Sequence, residues 1–258
     1  IEVKKVIAIR YWHPRAHAAA QALAAWKPDR IALIPLYPQF STTTTASSLT
    51  EWRSVAAKAG LTAPDAALCC YPLESGFVAA YADLLKITLA RLPAGTTPRL
   101  IFSAHGLPER IVTAGDPYPL QVLAGAAAIA AAAGVAGMDQ IVTYQSRVGP
   151  LKWIGPDTDT EIFETSKRGQ VPVVVPLSFV SEHSETLYEL DQVYREAALK
   201  AGAPAYLRVP AVGAHPQFIA GLAGLVRQTL TRSGIAPDPS WSGCGGAKGC
   251  PCSLKAAA

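Results

Sequence analysis

The chain has 258 residues, of which 50% are hydrophobic and 16% are charged, and its formal net charge is +4. This composition is typical of a folded globular protein and excludes a disordered or fibrous chain. The basic residues are scattered rather than clustered, so no footprint for nucleic-acid binding is present in the charge pattern.

Membrane and export signals are weak in this sequence. The apolar stretch at residues 122–138 is mostly alanine and glycine, which predicts a buried helix rather than a membrane span. Residues 1–10 carry charges within an apolar pattern, unlike a signal peptide, so we expect a cytoplasmic protein. A weakly basic face is still compatible with peripheral contact to anionic lipid.

The chain alternates between short apolar runs and alanine-rich helical segments. Strands are predicted at residues 3–10, 30–36, 66–70, 99–103, 140–144, 171–177 and 205–209. Helices are predicted at residues 14–26, 47–59, 76–92, 120–133, 158–168, 182–201 and 216–233. Apolar strands that are each followed by a helix indicate parallel sheets covered on both faces.

We therefore predict an α/β fold with three parts along the chain. Two α/β halves of similar design are expected at residues 1–90 and 91–232. A linker rich in proline, serine and glycine then begins the last part, residues 233–258, which ends in a cysteine-rich tail.

His105 is the first candidate for chemistry. It follows the strand predicted at 99–103 and precedes Gly106, which places the imidazole at the carboxyl edge of the sheet, where ligands bind in open α/β folds. A neutral imidazole can bind a divalent metal ion or accept a proton. A histidine at the end of a strand can equally well cap a loop, and its spacing does not decide between these roles.

A second set of candidates lies where the strand at 171–177 leads into the helix predicted at 182–201. Its members are Glu182, His183, Glu185 and Glu189. With Ser181 as the N-cap, the three carboxylates would share one helix face near the edge that carries His105. Oxygen and imidazole ligands together suit ferrous iron. Carboxylates at a helix start also stabilise the helix dipole, so capping is the alternative.

Two further patterns are notable. The hydroxyl-rich run at 41–45, with Ser47 and Ser48, can bind a carboxylate or phosphate or can simply cap the next helix. The tail holds three thiols, and a fourth ligand would come from Cys70 or its neighbour Cys69. The tail thiols are Cys244, Cys250 and Cys252. Four thiolates suit a [2Fe-2S] cluster or a structural zinc, and three thiols without a metal are the alternative.

Several of these loops together resemble the ferrochelatases. The matching stretches read LYPQFS at 36–41, FSAHGLP at 102–108, GDPYP at 115–119, YQSRVGP at 144–150 with Trp153, and FVSEHSETLYELD at 179–191. They span most of the chain in the order of that family.

The resemblance implies two Rossmann-like, doubly wound halves with a porphyrin cleft between them. It implies that Fe(II) enters protoporphyrin IX to form protohaem, with release of two protons, in the last step of haem biosynthesis. His105 and Glu185 would face each other at the macrocycle centre. Glu182, His183 and Glu189 would form a path for metal or protons.

The porphyrin pocket is also implied by the resemblance, through residues from both halves. These are Arg10, Tyr11, Phe40, Ser47 and Trp153. Phe40 carries no hydroxyl where some relatives have tyrosine. Members of the family begin with an additional strand and an Asn-Leu-Gly-Gly-Pro type loop, so we expect the first half to be incomplete at its N-terminus.

Alternative functions follow from the same residues. One is a porphyrin- or haem-binding protein without turnover that carries an iron-sulfur tail, and another is a chelatase for a different metal and tetrapyrrole. The sequence does not assign the proton acceptor between His105 and Glu185, the side of metal entry or the oligomeric state.

Overall fold

A computed structural model describes residues 2–146, 149–241 and 250. Its helices are α1 (Ala16–Trp26), α2 (Ser47–Lys58), α3 (Ser75–Leu89), α4 (Glu109–Thr113), α5 (Tyr118–Ala133), α6 (Thr158–Lys167), α7 (Tyr194–Lys200) and α8 (Pro216–Thr231). Its strands are β1 (Ile31–Leu33), β2 (Asp65–Leu68), β3 (Pro98–His105), β4 (Gln140–Gln145), β5 (Val171–Pro176), β6 (Leu207–Arg208) and β7 (Gly234–Ala236). A first π-helical segment, Thr42–Ala46, precedes α2, and a second one, Glu185–Val193, precedes α7.

The strands form two parallel sheets. The first sheet has the order β1-β2-β7 and the second has the order β4-β3-β5-β6. Neighbouring strands in both sheets run parallel. The predicted α/β class with parallel sheets is confirmed.

The second sheet is covered on both faces, which explains why its strands are apolar without alternation. Leu100 and Phe102 of β3 point into a core shared with α3 and α5. Ile101 points to the opposite face and packs with Ile162 of α6 and Leu190 of the second π-helical segment. Successive residues of a strand point to opposite faces, so β3 is buried from both sides.

The first sheet has its own smaller core. Ile31 of β1 packs with Leu23 of α1 and Trp52 of α2. Helix α8 contacts β1 and β2 and also packs along α3. Because α3 belongs to the core of the second sheet, α3 and α8 join the two sheets.

The N-terminal segment differs from the prediction. Residues 2–9 form neither helix nor strand, and Val3 and Ile7 are 70% and 69% exposed. A strand requires a neighbouring strand to bond its main chain, and an apolar pattern alone does not supply one. The predicted strand at 3–10 is therefore wrong for the described residues.

The segment predicted as a linker contains β7. Ala236 lies beside Leu68 of β2, so part of the stretch at 233–243 completes the first sheet. Main-chain hydrogen bonds carry this pairing, and small residues such as Gly234 and Ala236 give little side-chain signal for it. The division at residue 90 stays a prediction.

The apolar stretch at 122–138 overlaps α5, which packs against α3 and β4. Within the described residues, we find no helix with the length and apolar character needed to cross a membrane. The cytoplasmic location and peripheral membrane contact stay predictions.

The contact between α3 and α8 gives a test of the packing. A Cβ added at Gly76 would overlap the main-chain oxygen of Gln217, whereas a Cβ at Gly224 of α8 would meet nothing within 4 Å. We expect Gly76→Ala to lower the free energy of unfolding by about 1–3 kcal/mol. Gly224→Ala should be neutral or raise it by up to about 1 kcal/mol, because alanine favours helix. Urea unfolding of both variants measures the difference, and equal midpoints would contradict this account of the contact.

Candidate active site

His105 lies at the carboxyl edge of the sheet, as predicted, although β3 extends to include it rather than ending at residue 103. Its ring orientation is set by the main chain. Its Nδ1 lies 2.8 Å from the carbonyl oxygen of Gly106. A carbonyl oxygen only accepts hydrogen bonds, so Nδ1 carries the proton and donates. In the neutral imidazole, Nε2 is then the atom with a lone pair for a proton or a metal ion.

Glu185 faces His105. It is the first residue of the second π-helical segment, and its Oε2 lies 3.6 Å from Nε2 of His105. The two side chains are 43% and 36% exposed, so a molecule can reach both from solvent. The structure thus brings together the two residues that the sequence singled out for catalysis.

Ser146 holds the carboxylates of the site together. It directly follows β4, and its hydroxyl lies 2.8 Å from Oε2 of Glu185 and 3.1 Å from Oε2 of Glu189. Its φ of 63° is unusual for a residue other than glycine and aims the side chain at these oxygens. Glu189 therefore shares the site with Glu185.

Gln145 supports Glu189 from the interior. Its Nε2 donates to Oε2 of Glu189 at 3.0 Å, while its own Oε1 accepts from the hydroxyl of Ser103 at 2.6 Å. Gln145 is buried, and both ends of its amide are bonded. Sequence reasoning did not assign roles to Gln145 and Ser146, although Gln145 ends β4 and Ser146 begins the polar loop that follows it.

The helix that carries the carboxylates begins later than predicted. Residues 181–183 are not helical, and Ser184 rather than Ser181 is the N-cap. The amide of Glu185 donates to Nδ1 of His183 at 3.1 Å, and the amide of His183 donates to Oγ1 of Thr186 at 2.9 Å. A histidine therefore provides the capping acceptor that the sequence suggested for a serine.

Glu182 does not join this group, which corrects its placement on one helix face with Glu185 and Glu189. Its carboxylate accepts from Nη1 of Arg208 at 2.8 Å and from the amide of Ala211 at 2.9 Å. Burial opposes ionisation of Glu182, but hydrogen bonds from Arg208 and other donors hold its pKa below the ordinary value. The physical reason is that residue 182 precedes the helix, so helical spacing does not apply to it.

His183 stands beside the site through an aromatic contact. Its ring centroid lies 4.6 Å from that of Phe179, and the Phe179 centroid lies 6.4 Å from that of His105. Because Nδ1 of His183 accepts a main-chain hydrogen bond, only its Nε2 is available for other partners. His183 thus lies next to His105 and Glu185, but one of its two ring nitrogens is used to cap the helix start.

Several residues predicted to line a pocket cluster near the first π-helical segment. Nε of Arg10 donates to Oγ of Ser47 at 2.6 Å, and its guanidinium lies 4.9 Å from the ring centroid of Tyr11. The hydroxyl of Tyr11 donates to the carbonyl oxygen of Thr43 at 2.9 Å. Tyr11 is 65% exposed, so this cluster presents an aromatic face to solvent.

Phe40 lies apart from the exposed cluster of Arg10 and Tyr11. It is fully buried and packs with Cys69, Cys70 and Cys250. Its own amide donates to Oε1 of Gln121, which holds this part of the chain in the interior. Its role in a porphyrin pocket stays a prediction.

Trp153 lies on the His105 side of the molecule. It pairs with Pro108 in an isolated bridge, and its ring lies so close to Gly106 that a Cβ there would come within 3.3 Å of it. Gly106 therefore lets the indole approach the loop that fixes His105. Within the described residues, the buried Nε1 of Trp153 has no hydrogen-bond partner.

The cysteine prediction is only partly covered by the structure, because Cys244 and Cys252 lie outside the described residues. Sγ of Cys69 and Sγ of Cys250 are 3.8 Å apart, and both residues are buried. Two thiolates bound to one tetrahedral centre at about 2.3 Å lie about 3.8 Å apart. The pair thus fits two ligands of one metal centre. In the part of the chain that is described, no group of three or more His, Cys, Asp or Glu side chains is placed to hold a metal ion.

Comparison with solved structures finds a protein of similar fold. The structure resembles SirB from Bacillus subtilis, solved with Fe3+, with a TM-score of 0.58 over 85% of this chain and 79% of that one. At 17% sequence identity, this likeness bears on the fold alone.

The sequence comparisons go further. The profile of the family Ferrochelatase matches residues 1–230. A ferrochelatase of Caulobacter vibrioides is 47% identical over 257 residues, which cover 98% of this chain and 72% of the relative. One of Phenylobacterium zucineum is 46% identical over 241 residues, which cover 93% and 69%. The chain therefore belongs to the ferrochelatase family.

Proposed function

We propose that this chain inserts Fe(II) into protoporphyrin IX at the site where His105 faces Glu185, giving protohaem and two protons. Family membership supports the reaction. The observation that carries the location is the 3.6 Å separation of Nε2 of His105 and Oε2 of Glu185 at an open sheet edge. Nitrogen and oxygen ligands of this kind suit ferrous iron.

The reaction requires a base and a cation site close together. Insertion of Fe(II) breaks two pyrrole N–H bonds and forms bonds from the ring nitrogens to iron, so two protons must leave as a dication arrives. Nε2 of His105 has a free lone pair in the neutral tautomer, and a positioned imidazole is an effective proton acceptor near neutral pH. Glu185 offers a second acceptor and an oxygen ligand. The geometry allows either residue to take the protons while the other guides the metal.

Glu189 extends the site away from His105. Because one hydroxyl of Ser146 bonds both Glu185 and Glu189, two carboxylates stand side by side. Neighbouring carboxylates favour a divalent cation or a shared proton. We propose that Glu185 and Glu189 form the path for metal or protons, and that Glu182 lies outside it because its carboxylate is already paired with Arg208.

We also propose that the cysteines hold a [2Fe-2S] cluster and that Cys69, rather than Cys70, completes the ligand set with Cys244, Cys250 and Cys252. The support is the separation of 3.8 Å between the sulfurs of Cys69 and Cys250. Such a centre would tie residues near the end of β2 to the tail.

Replacement of His105 tests the site. We expect His105→Ala to lower the rate of Fe(II) insertion by a factor of about 100 or more, because a general base contributes about 10²–10⁴-fold. His17→Ala, which removes an exposed imidazole on α1, is the matched control and should keep the parent rate. Conversion of protoporphyrin to protohaem is followed anaerobically by absorbance. Porphyrin binding without metallation by the parent chain would instead identify a binding protein, and a preference for another metal or tetrapyrrole would identify a different chelatase.

Two glutamates test the proposed path. Glu185→Gln should abolish most insertion, whereas Glu182→Gln should keep most of kcat and lower the free energy of unfolding by about 1–3 kcal/mol, since it weakens charge-assisted hydrogen bonds. Because the pKa of Glu182 is lower in the folded protein, its stabilisation is present above the ordinary pKa of 4.5 and is lost as pH falls through the lowered value. Urea unfolding at pH 7 and below pH 4 should show that the deficit of Glu182→Gln shrinks in acid. Equal losses of kcat in the two variants would return Glu182 to the path.

The visible spectrum tests the cysteine centre. A protein purified without oxygen should be brown, and its charge-transfer bands should disappear in Cys69→Ser and in Cys250→Ser. Cys70→Ser is the matched variant one residue away and should keep the bands. A colourless parent protein that holds zinc would refute the cluster, and loss of colour in Cys70→Ser alone would exchange the roles of the two neighbours.

A further inference from the structure

The turn that follows β5 is held from the interior by two buried tyrosines. The hydroxyl of Tyr118 at the start of α5 lies 2.8 Å from Oγ of Ser178. The hydroxyl of Tyr81 on α3 lies 2.6 Å from the carbonyl oxygen of Pro176 and 2.7 Å from that of Phe179. Two helices on one side of the sheet therefore fix a turn at the edge where the active site lies.

Tyr118 is buried, and burial raises the pKa of its phenol, while the hydrogen bond with Ser178 acts in the opposite direction. Either of the two hydroxyls can be the donor in this hydrogen bond. One buried hydroxyl thus ties α5 to the turn after β5.

The turn matters because of the ring it carries. The ring of Phe179 contacts the imidazoles of both His105 and His183, with centroid distances of 6.4 Å and 4.6 Å. His183 in turn caps the amide of Glu185. A shift of this turn would therefore displace His105 through Phe179 and Glu185 through His183.

We propose that Tyr118 is a positioning residue for metal insertion, with Tyr81 acting on the same turn. Tyr118 holds the turn of Ser178 and Phe179, whose ring contacts His105, in one arrangement, so that Nε2 of His105 and the carboxylate of Glu185 stay at a working separation. This role rests on the proposed function. It differs from that of a catalytic residue because the buried phenol does not touch the reacting atoms.

Tyr118→Phe tests the role, since phenylalanine keeps the buried ring and removes only the hydroxyl. We expect kcat for Fe(II) insertion to fall about tenfold, as small displacements of reacting groups cost about this much or more. The KM and the Kd for protoporphyrin, the latter measured by fluorescence quenching, should stay within about twofold, because Tyr118 is buried in the core. A loss confined to kcat separates positioning from a general loss of folded protein.

Tyr71→Phe is the matched control. Tyr71 belongs to the same core and is fully buried, but its hydroxyl has no hydrogen-bond partner within the described residues. Its removal should leave kcat and KM at the parent values. If Tyr71→Phe and Tyr118→Phe lower kcat equally, the effect comes from the core in general and the proposal falls.

Ser178→Ala gives a second route to the same answer if Tyr118→Phe does not fold. Ser178 is half-buried, so its replacement disturbs the core little and should also lower kcat with an unchanged Kd. When both changes are combined, the loss should be smaller than the product of the single losses, because both remove one hydrogen bond. If the parent chain inserts Fe(II) and both Tyr118→Phe and Ser178→Ala keep the full kcat, the positioning role is refuted and the proposed function is not. A parent chain that binds porphyrin without metallating it overturns the proposed function.

Discussion

The parallel alignment of β3 with β4 and β5 is the constraint on which the site depends. His105 lies in register with Gln145, and Ser103 lies in register with Pro176, so the three strands end close together at one edge. Parallel strands all present their carboxyl ends at the same edge, and the loops that follow them meet there. One edge thereby collects the imidazole from β3, the Ser146 hydroxyl after β4, and the turn that leads from β5 to Glu185.

A buried polar chain gives this edge its rigidity. Gln145 links Glu189 to Ser103, and the hydroxyl of Ser103 continues to Thr158, which bonds Thr143. These groups lie in an otherwise apolar interior, where an unpaired polar atom would cost about 1–3 kcal/mol. Because the members bond one another in sequence, movement of Glu189 would leave a buried amide unpaired. The carboxylate is thus held by the core as well as by the surface.

The sequence predicts where the strands end and which polar residues follow them. It does not predict which of these side chains lie close together in the folded protein. His105 was placed correctly because an apolar strand followed by His-Gly gives both the element and its end. Glu182 was misplaced because helical spacing was applied to a residue that lies before the helix, where Arg208 captures it. The burial of Phe40 was not predicted, because its neighbours in sequence suggest a surface loop, whereas its side chain packs with residues that include Cys250, 210 positions further along the chain. Contacts between residues that are far apart in the chain cannot be predicted from the local sequence pattern.

Ser146 shows how local cost and site geometry are balanced. A residue with a Cβ in the left-handed region costs about 1–2 kcal/mol, and glycine would adopt the same φ more easily. Glycine has no hydroxyl, however, and the hydroxyl of Ser146 bonds two carboxylates at 2.8 Å and 3.1 Å. The hydroxyl has one proton, which the two carboxylates share, and a hydrogen bond to a charged group contributes about 1.5–3 kcal/mol, enough to offset the backbone cost. The serine thus keeps two carboxylates at a fixed separation beside His105, where a cation can bind to both. An ordinary backbone conformation at residue 146 would not direct the hydroxyl at these oxygens.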